Sequence, residues 1–511
     1  MIFVSRTSKS LKNIKYAIVG QCLALLITFF SRTLFVKILG SEYLGLNSLF
    51  TNLLTMLSFA ELGIGAAITY SLYKPLSSNN VEQIKSLMNF YKRVYNVIGI
   101  AILSISLIIS PFISIFLENS KEVDNLYLIY FLFVLNSVFS YFFSYKRSLI
   151  IADQNRYIAT LYRYTLFFLC NLLQIIFLIY TQNYILYLLI QVFMTIVENV
   201  LISRKANKMY PFLKENNIEK LDKNVLKDII KNTKAMFGHK IGGIIVNSTD
   251  NLLISKISGL SVVGIYSNYL LIVGSLNTIY GILFQSIISS VGNLGVSSSD
   301  SKKKEIFNSV NMACFFIYGI SSVILLNFLN QFITIWIGNK FVFSNSILYV
   351  ILLNFYINGM RKSVLTFRDA LGLFWYDRYK PIFEVSINII CSLYLGYKFG
   401  IMGVLYGTTI STVLTCLWIE PYILYKYGFK SSIKSYIKSY VYQILILVFC
   451  SLLTICLINL FQPTNIYWDA IRNLAISLIV FLVVFVSVYY KNRDFIYLLN
   501  ILIGKVRRKI Q

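Results

Sequence analysis

The sequence predicts an all-α polytopic membrane protein with about fourteen transmembrane helices. Three observations predict this class. Hydrophobic residues make up 57% of the 511 positions and charged residues only 13%, about half the charged share of a soluble domain. Apolar runs of spanning length, about 20 residues each, follow one another along the chain. Finally, short segments recur at an offset of about 220 residues, which predicts two six-helix lobes followed by two C-terminal helices.

Each predicted span is a run of about 20 mostly apolar residues, the length that crosses the hydrocarbon core of a bilayer. Taken in order, the runs cover most of the chain and leave no soluble domain of useful size between them. The predicted spans are 16–38, 45–70, 95–117, 126–145, 158–180, 184–203, 235–256, 261–290, 308–330, 345–366, 380–397, 400–423, 440–460 and 470–490.

The basic charge follows the membrane topology. If the N-terminus is cytoplasmic, 38 of the 47 Lys and Arg residues fall in cytoplasmic segments and 6 fall outside. This asymmetry is the positive-inside pattern. The net charge of +26 therefore indicates topology and attraction to anionic membrane lipids, and no nucleic-acid partner is expected. Both termini are predicted to be cytoplasmic.

The loops divide the chain into four parts. The longest connection, 204–234, contains apolar residues at helical spacing (Ile218, Leu221, Val225 and Ile229) with charges on the other face. It reads either as an amphipathic helix on the cytoplasmic leaflet or as an ordinary linker helix. The predicted parts are an N-lobe of helices 1–6 (1–203), this linker (204–234), a C-lobe of helices 7–12 (235–430), and two extra helices with a basic tail (431–511).

Three pairs of segments recur in the two predicted lobes. The stretch 32–49 resembles 250–270 and places Gly45 on Gly264; 147–157 resembles 368–379; and 198–205 resembles 420–427. Six spans return the chain to the same side of the membrane, so the second copy inserts in the same orientation. The lobes are therefore expected to be related by an axis along the membrane normal, as in transporters with a site between halves.

Little in the sequence indicates an enzyme. The seven cysteines all fall in predicted spans, the single histidine cannot form a multi-histidine metal site, and there is no P-loop or G-x-S-x-G motif. We expect no catalytic residues, no metal and no cofactor. A polytopic polysaccharide polymerase or glycosyl transferase stays a less favoured alternative, because the external loops are too short for a catalytic domain.

Three stretches carry a family resemblance over essentially the whole chain. They are "RTLFVKILGSEYLG" (32–45), "FAELGIGAAI" (59–68) and "NSTDNLLISKISGLSVVGIYS" (247–267). They resemble the Wzx-type oligosaccharide and polysaccharide repeat-unit flippases of the multidrug/oligosaccharidyl-lipid/polysaccharide exporter superfamily. This chain has Glu61 where many members of that family carry Asp.

The resemblance implies alternating access and a cargo. The cargo would be an oligosaccharide repeat unit on a polyprenyl diphosphate, moved from the inner to the outer leaflet of the bacterial plasma membrane for capsule, O-antigen or other surface polysaccharide. The expected partners are this lipid-linked sugar, membrane lipids, a proton or sodium as coupling ion, and other polysaccharide-assembly membrane proteins. A drug or cation exporter of the same superfamily is the alternative.

A diphosphate cannot cross hydrocarbon unaccompanied, so a flippase needs cations and polar groups deep in the membrane. Ionisable residues inside spans are costly and point to function, although snorkelling or structural ion pairs are the competing explanation. That explanation is favoured for Lys240 and Arg361, which lie nearer helix ends. The predicted substrate-binding residues are Arg32, Arg163, Glu61, His239 and Lys240.

Arg32 and Asp250 occupy matching places in the repeat, thirteen or fourteen residues before the matched glycines Gly45 and Gly264. We expect them to pair when the outer side is closed and to separate when it opens, with Asp250 protonation as a route to proton coupling. Glu384 is a further gating or coupling candidate. The attraction between Arg32 and Asp250 would be one contributor to the free-energy difference between the inward-facing and outward-facing states.

Overall fold

The computed structural model describes residues 2–57, 64–116, 124–142, 144–153, 155–215, 221–297, 299–498 and 500. Within these ranges, side chains are not described over several stretches, including 2–15, 231–244 and 285–297. The regular structure of the described ranges is helical throughout, without a β-strand. The predicted all-α class is thus confirmed.

The chain forms two compact units, Met1–Gly264 and Ile265–Gln511. In the first, α1 packs on α6 and α8, and α7 packs on α4 and α6. Short 3-10 helices cover Ser110–Phe116 and Pro211–Lys214. The helices of this unit are α1 (Ile2–Leu57), α2 (Ile64–Ser77), α3 (Val81–Ile109), α4 (Leu126–Tyr141), α5 (Ser144–Ala152), α6 (Arg156–Thr181), α7 (Tyr184–Met209) and α8 (Lys223–Ser258).

Helix α1 contains the predicted span 16–38 and the first half of the predicted span 45–70, with a kink between them. The kink is at Gly40, whose φ of 85° lies in the left-handed region that glycine adopts without strain. The repeat-matched Gly259 separates α8 from α9 and has a φ of 88°. The two copies of the repeat therefore change direction at matching glycines.

Two further glycines of the repeat touch within the first unit. A Cβ added at Gly45 would lie 2.0 Å from the Leu260 carbonyl oxygen, and one at Gly264 would lie 2.0 Å from the Ser41 carbonyl oxygen. The hydroxyls of Ser41 and Ser261 are 2.9 Å apart. Only glycine allows this close approach of two helix backbones, which is how small residues pack helices in membranes.

The second unit is built around α10, which packs on α11, α15 and α16. Its core is aromatic, with Phe307, Phe315, Tyr318 and Phe481 fully buried. Short 3-10 helices cover Asn339–Phe341 and Leu373–Trp375, and π-helical turns cover Thr412–Cys416 and Leu424–Gly428. After α9 (Leu260–Ser297), which begins in the first unit, the helices are α10 (Asp300–Ile337), α11 (Asn345–Ala370), α12 (Lys380–Phe399), α13 (Ile401–Ser411), α14 (Leu417–Ile423), α15 (Lys434–Asn459) and α16 (Ile466–Tyr489).

Ten described helices are long and apolar enough to cross a membrane, and eleven if the bent pair α4–α5 counts as one span. Helix α1 counts once in that number although it covers the predicted span 16–38 and the first half of 45–70. The more polar α8 and α11 each contain one predicted span and do not count at all. The chain is thus a multi-pass membrane protein, and the fourteen predicted spans are compatible with its helices.

Candidate functional site

A cavity of about 350 Å³ lies within the first unit, between α1, α6 and α7. Its wall carries both polar and apolar side chains, and each of the three helices contributes several polar ones. The lining residues are Thr28, Ser31, Arg32, Phe35, Leu44, Asn47 and Thr51 of α1, Arg163, Leu166, Phe167, Cys170, Asn171 and Gln174 of α6, and Tyr187, Gln191, Met194, Thr195 and Glu198 of α7.

Helical periodicity explains why these residues face one cavity. On α7 the polar members Tyr187, Gln191, Thr195 and Glu198 follow one another at three or four residues, which places them on one face. The α6 residues Arg163, Asn171 and Gln174 occupy one face in the same way. The other faces of both helices carry exposed apolar side chains, as expected for surfaces that meet lipid.

The charged lining residues are Arg32, Arg163 and Glu198. Glu198 is bound by a third arginine, Arg147 of α5, through its Nη2 atom, and Asn199 is 3.5 Å from the same nitrogen. Arg163 is exposed, and no ion pair joins it to another described residue. Three arginines and one glutamate thus give this region an excess of positive charge.

The amides of the cavity wall are held in place by backbone groups. Gln174 donates from Nε2 to the Tyr187 carbonyl at 3.1 Å, and Asn171 donates from Nδ2 to the Phe167 carbonyl at 2.8 Å. Each amide therefore uses one N–H group in a hydrogen bond to the backbone of the cavity wall. The remaining polar atoms of these amides give the wall further hydrogen-bonding capacity beside the two arginines.

The second unit holds a different charged site, a buried ion-pair cluster of Arg361, Lys380, Glu384 and Glu420. Arg361 donates to both carboxylate oxygens of Glu420, at 3.0 and 2.8 Å, and Lys380 donates to Glu420 at 2.6 Å. Lys380 also lies 3.2 Å from Glu384, whose other oxygen is 4.0 Å from Arg361. The Glu420 side chain has no solvent exposure.

A second group of ion pairs, formed by Arg368 with Asp377 and Asp369, lies next to this cluster. Arg368 donates from Nη1 to Asp377 at 2.6 Å and from Nη2 to Asp369 at 2.9 Å. Arg368 and Asp377 are both buried. Every charged side chain of the cluster and of this extension therefore has an opposite charge in direct contact.

The predicted site residues whose side chains the structure describes lie in three different places. Arg32 and Arg163 line the same cavity. Asp250 is buried on α8, which packs on α1, and Glu384 belongs to the ion-pair cluster. Glu61 lies outside the described residues, as do the side chains of His239 and Lys240 on α8. The roles of all these residues, and the Arg32–Asp250 gate, stay predictions.

Sequence reasoning missed most of the polar cavity wall, above all Asn171, Gln174, Gln191 and the Arg147–Glu198 pair. A signal for them exists in the sequence. Amides and charges recur at helical spacing within α6 and α7, two otherwise apolar spans. A polar stripe on a membrane helix indicates a face turned away from lipid. The Lys380–Glu420 pair had no such signal, because its members are 40 residues apart and on different helices.

The fold is that of known transporters. The lipid II flippase MurJ, in an inward closed conformation, matches with a TM-score of 0.65 over 94% of this chain and 99% of its own, at 16% identity. The MATE multidrug transporter DinF-BH in complex with R6G matches with a TM-score of 0.58 over 84% of this chain and 96% of its own, also at 16% identity. A MATE family transporter of the MOP superfamily, in an inward-facing conformation, gives a TM-score of 0.54 over 78% and 94%, at 13% identity.

No protein-family model matches the sequence, and no curated protein matches it significantly. At these low identities the similarity establishes the fold alone. It is a fold shared by structures of a lipid II flippase and of MATE multidrug transporters.

Proposed function

We propose that this chain is a flippase for a polyprenyl-diphosphate-linked oligosaccharide. In this proposal the protein moves the repeat unit of a surface polysaccharide, such as a capsule or O-antigen, from the inner to the outer leaflet by alternating access. The cavity of the first unit holds the polar head group during transfer. The polyprenyl tail stays in lipid, where burial of its methylene groups is already favourable.

One observation carries the proposal: Arg32 and Arg163 line a single cavity whose one glutamate is already bound by Arg147. A charged side chain inside the membrane is energetically costly, so its presence indicates a functional role. A guanidinium binds phosphate oxygens through two parallel hydrogen bonds, which makes arginine suited to a diphosphate. The match to a lipid II flippase fold supports the same class of cargo.

A drug or cation exporter is the second candidate, since MATE multidrug transporters share the fold. The two candidates differ in the charge expected of the cavity. A cationic cargo is favoured by uncompensated carboxylates, whereas this cavity has more arginines than glutamates. Like charges brought together in a low-dielectric site repel strongly, so the cavity favours an anionic head group.

The proposal is tested by flipping of a labelled polyprenyl-diphosphate oligosaccharide in proteoliposomes. Arg32→Ala should reduce the rate at least about tenfold, the size of one lost charge-assisted contact of about 1.5–3 kcal/mol. Arg163→Ala should reduce it less, since this side chain is the more exposed of the two.

Arg156→Ala is the matched control. Arg156 is an exposed arginine on the same helix, two turns before Arg163, and it does not line the cavity. It should flip cargo at the unaltered rate. Transport by a stably folded Arg32→Ala, Arg163→Ala double variant at the unaltered rate would contradict the proposal.

A further inference from the structure

A second cavity, of about 260 Å³, adjoins the arginine-lined one within the first unit. It lies between α1, α4 and α7, on the other side of Thr51 and Gln191, which line both cavities. The two spaces therefore meet at a shared wall of one hydroxyl and one amide. A ligand bound at Arg32 and Arg163 can extend past these residues into the second space.

The chemistry of the second cavity differs from that of the first. None of its lining residues is charged. Its apolar members, Leu54, Phe133 and Tyr141, are buried, with 4–6% of their surface exposed. The side chains that keep accessible surface are the polar ones: Thr51, Thr55, Asn136, Ser137, Ser140 and Gln191. A molecule in this cavity meets hydroxyl and amide groups.

The internal hydrogen bonds leave both donors and acceptors available. The hydroxyl of Ser140 donates to the Ser137 carbonyl at 2.6 Å, so its oxygen can still accept a hydrogen bond from a ligand. Asn136 accepts from Thr195 through Oδ1 at 2.7 Å, which turns its NH₂ group into the available donor. Gln191 adds one group of each kind.

We propose that this second cavity binds uncharged sugar residues of the cargo, next to a diphosphate held by Arg32 and Arg163. This rests on the proposed function. A sugar hydroxyl both donates and accepts, so it matches a wall that offers both. A uronic acid or another acidic sugar would lose hydration on entering and find no cation to replace it. The cavities thus select a cargo whose negative charge is confined to the diphosphate.

Binding to the full-length protein in lipid nanodiscs tests this selection. The probes are polyprenyl diphosphate, the same lipid carrying a neutral oligosaccharide, and the same lipid carrying one with a uronic acid. The unaltered protein should bind the neutral lipid-linked sugar at least about tenfold more tightly than polyprenyl diphosphate, the gain of one or two net hydrogen bonds. The acidic sugar should give no such gain.

The double variant Asn136→Ala, Ser140→Ala should lose that gain and keep the unaltered affinity for polyprenyl diphosphate, which also shows that it is folded. Ser110→Ala is the matched control, because its hydroxyl likewise donates to a carbonyl three residues back, at 2.8 Å, away from both cavities. It should bind all three probes as the unaltered protein does.

Three results would overturn the inference. One is equal affinity of the unaltered protein for polyprenyl diphosphate and for the neutral lipid-linked sugar. Another is tighter binding of the acidic sugar than of the neutral one. The third is a double variant that retains the full gain. The proposed function fails separately, through absence of binding of every probe or through an Arg32→Ala variant that binds them all normally.

Discussion

The two glutamates that the internal repeat pairs, Glu198 and Glu420, have very different surroundings. Glu198 lines the cavity of the first unit, keeps 21% of its side-chain surface exposed and is bound by the half-buried Arg147. Glu420 is fully buried in the second unit and is held by both Arg361 and Lys380. The same residue type, at matching places, thus belongs to a cavity wall in one unit and to a closed ion-pair cluster in the other.

The two glutamates therefore indicate different roles for their two regions, cargo binding in the first unit and stability in the second. Within the ion-pair cluster of the second unit each charged side chain is in contact with an opposite charge, so the cluster has no capacity left for a ligand. In the first unit the cavity lining includes Arg163, whose side chain is exposed. An exposed intramembrane cation does little for stability, and its reason is sought in binding. We therefore propose that cargo recognition lies in the first unit and that the cluster has a structural role.

The largest expected effect is on stability, from Glu420→Ala. It leaves Arg361 and Lys380 buried beside an empty space, and removal of one partner of a buried ion pair costs about 3–5 kcal/mol. Thermal unfolding in detergent should show a clearly lower midpoint. Glu198→Ala is the matched control and should lower it much less, because its pair is partly solvated. If both variants lowered the unfolding midpoint equally, the proposed difference in role between the two regions would be contradicted.

An intermediate effect is expected from Arg147→Ala in the first unit. It leaves the Glu198 carboxylate unneutralised beside the cavity, which repels an anionic cargo. Affinity for polyprenyl diphosphate should fall by roughly tenfold, about 1.4 kcal/mol. The double variant Arg147→Ala, Glu198→Gln removes that charge and should regain most of the affinity. Failure of the second substitution to restore binding would mean that Arg147 acts through something other than Glu198.

The smallest effects are expected from arginine-to-lysine changes, which keep the charge and lose the paired geometry. Arg361→Lys loses the paired hydrogen bonds to Glu420 but keeps the charge, and it should lower the free energy of unfolding by about 1 kcal/mol. Arg32→Lys should slow transport several-fold and leave the unfolding midpoint unchanged. The transport rate and the unfolding midpoint are to be measured for both variants. A lower unfolding midpoint for Arg32→Lys would contradict the assignment of binding to the first unit and stability to the cluster.

Much of the fold could be predicted from the sequence, because apolar runs and turn glycines are local signals. The repeat matches Gly45 with Gly264, and the structure brings these two glycines into close contact. Arg32 and Arg163 stood out as charges inside spans, yet their convergence on one cavity depends on how α1 and α6 pack. The pairing of Lys380 with Glu420 could not be predicted, because the two residues are 40 positions apart and on different helices. The amides of the cavity wall recur at helical spacing within α6 and α7, and this signal was missed.

The proposed function requires the first unit's cavity to hold the anionic head group of a lipid-linked sugar. A cryo-electron microscopy structure with a polyprenyl-diphosphate oligosaccharide bound tests it most directly. We predict phosphate oxygens within hydrogen-bonding distance of the Arg32 and Arg163 guanidinium groups, with the sugars extending past Thr51 and Gln191 toward Asn136. Phosphate bound away from both arginines, with this cavity holding no part of the cargo, would contradict the account.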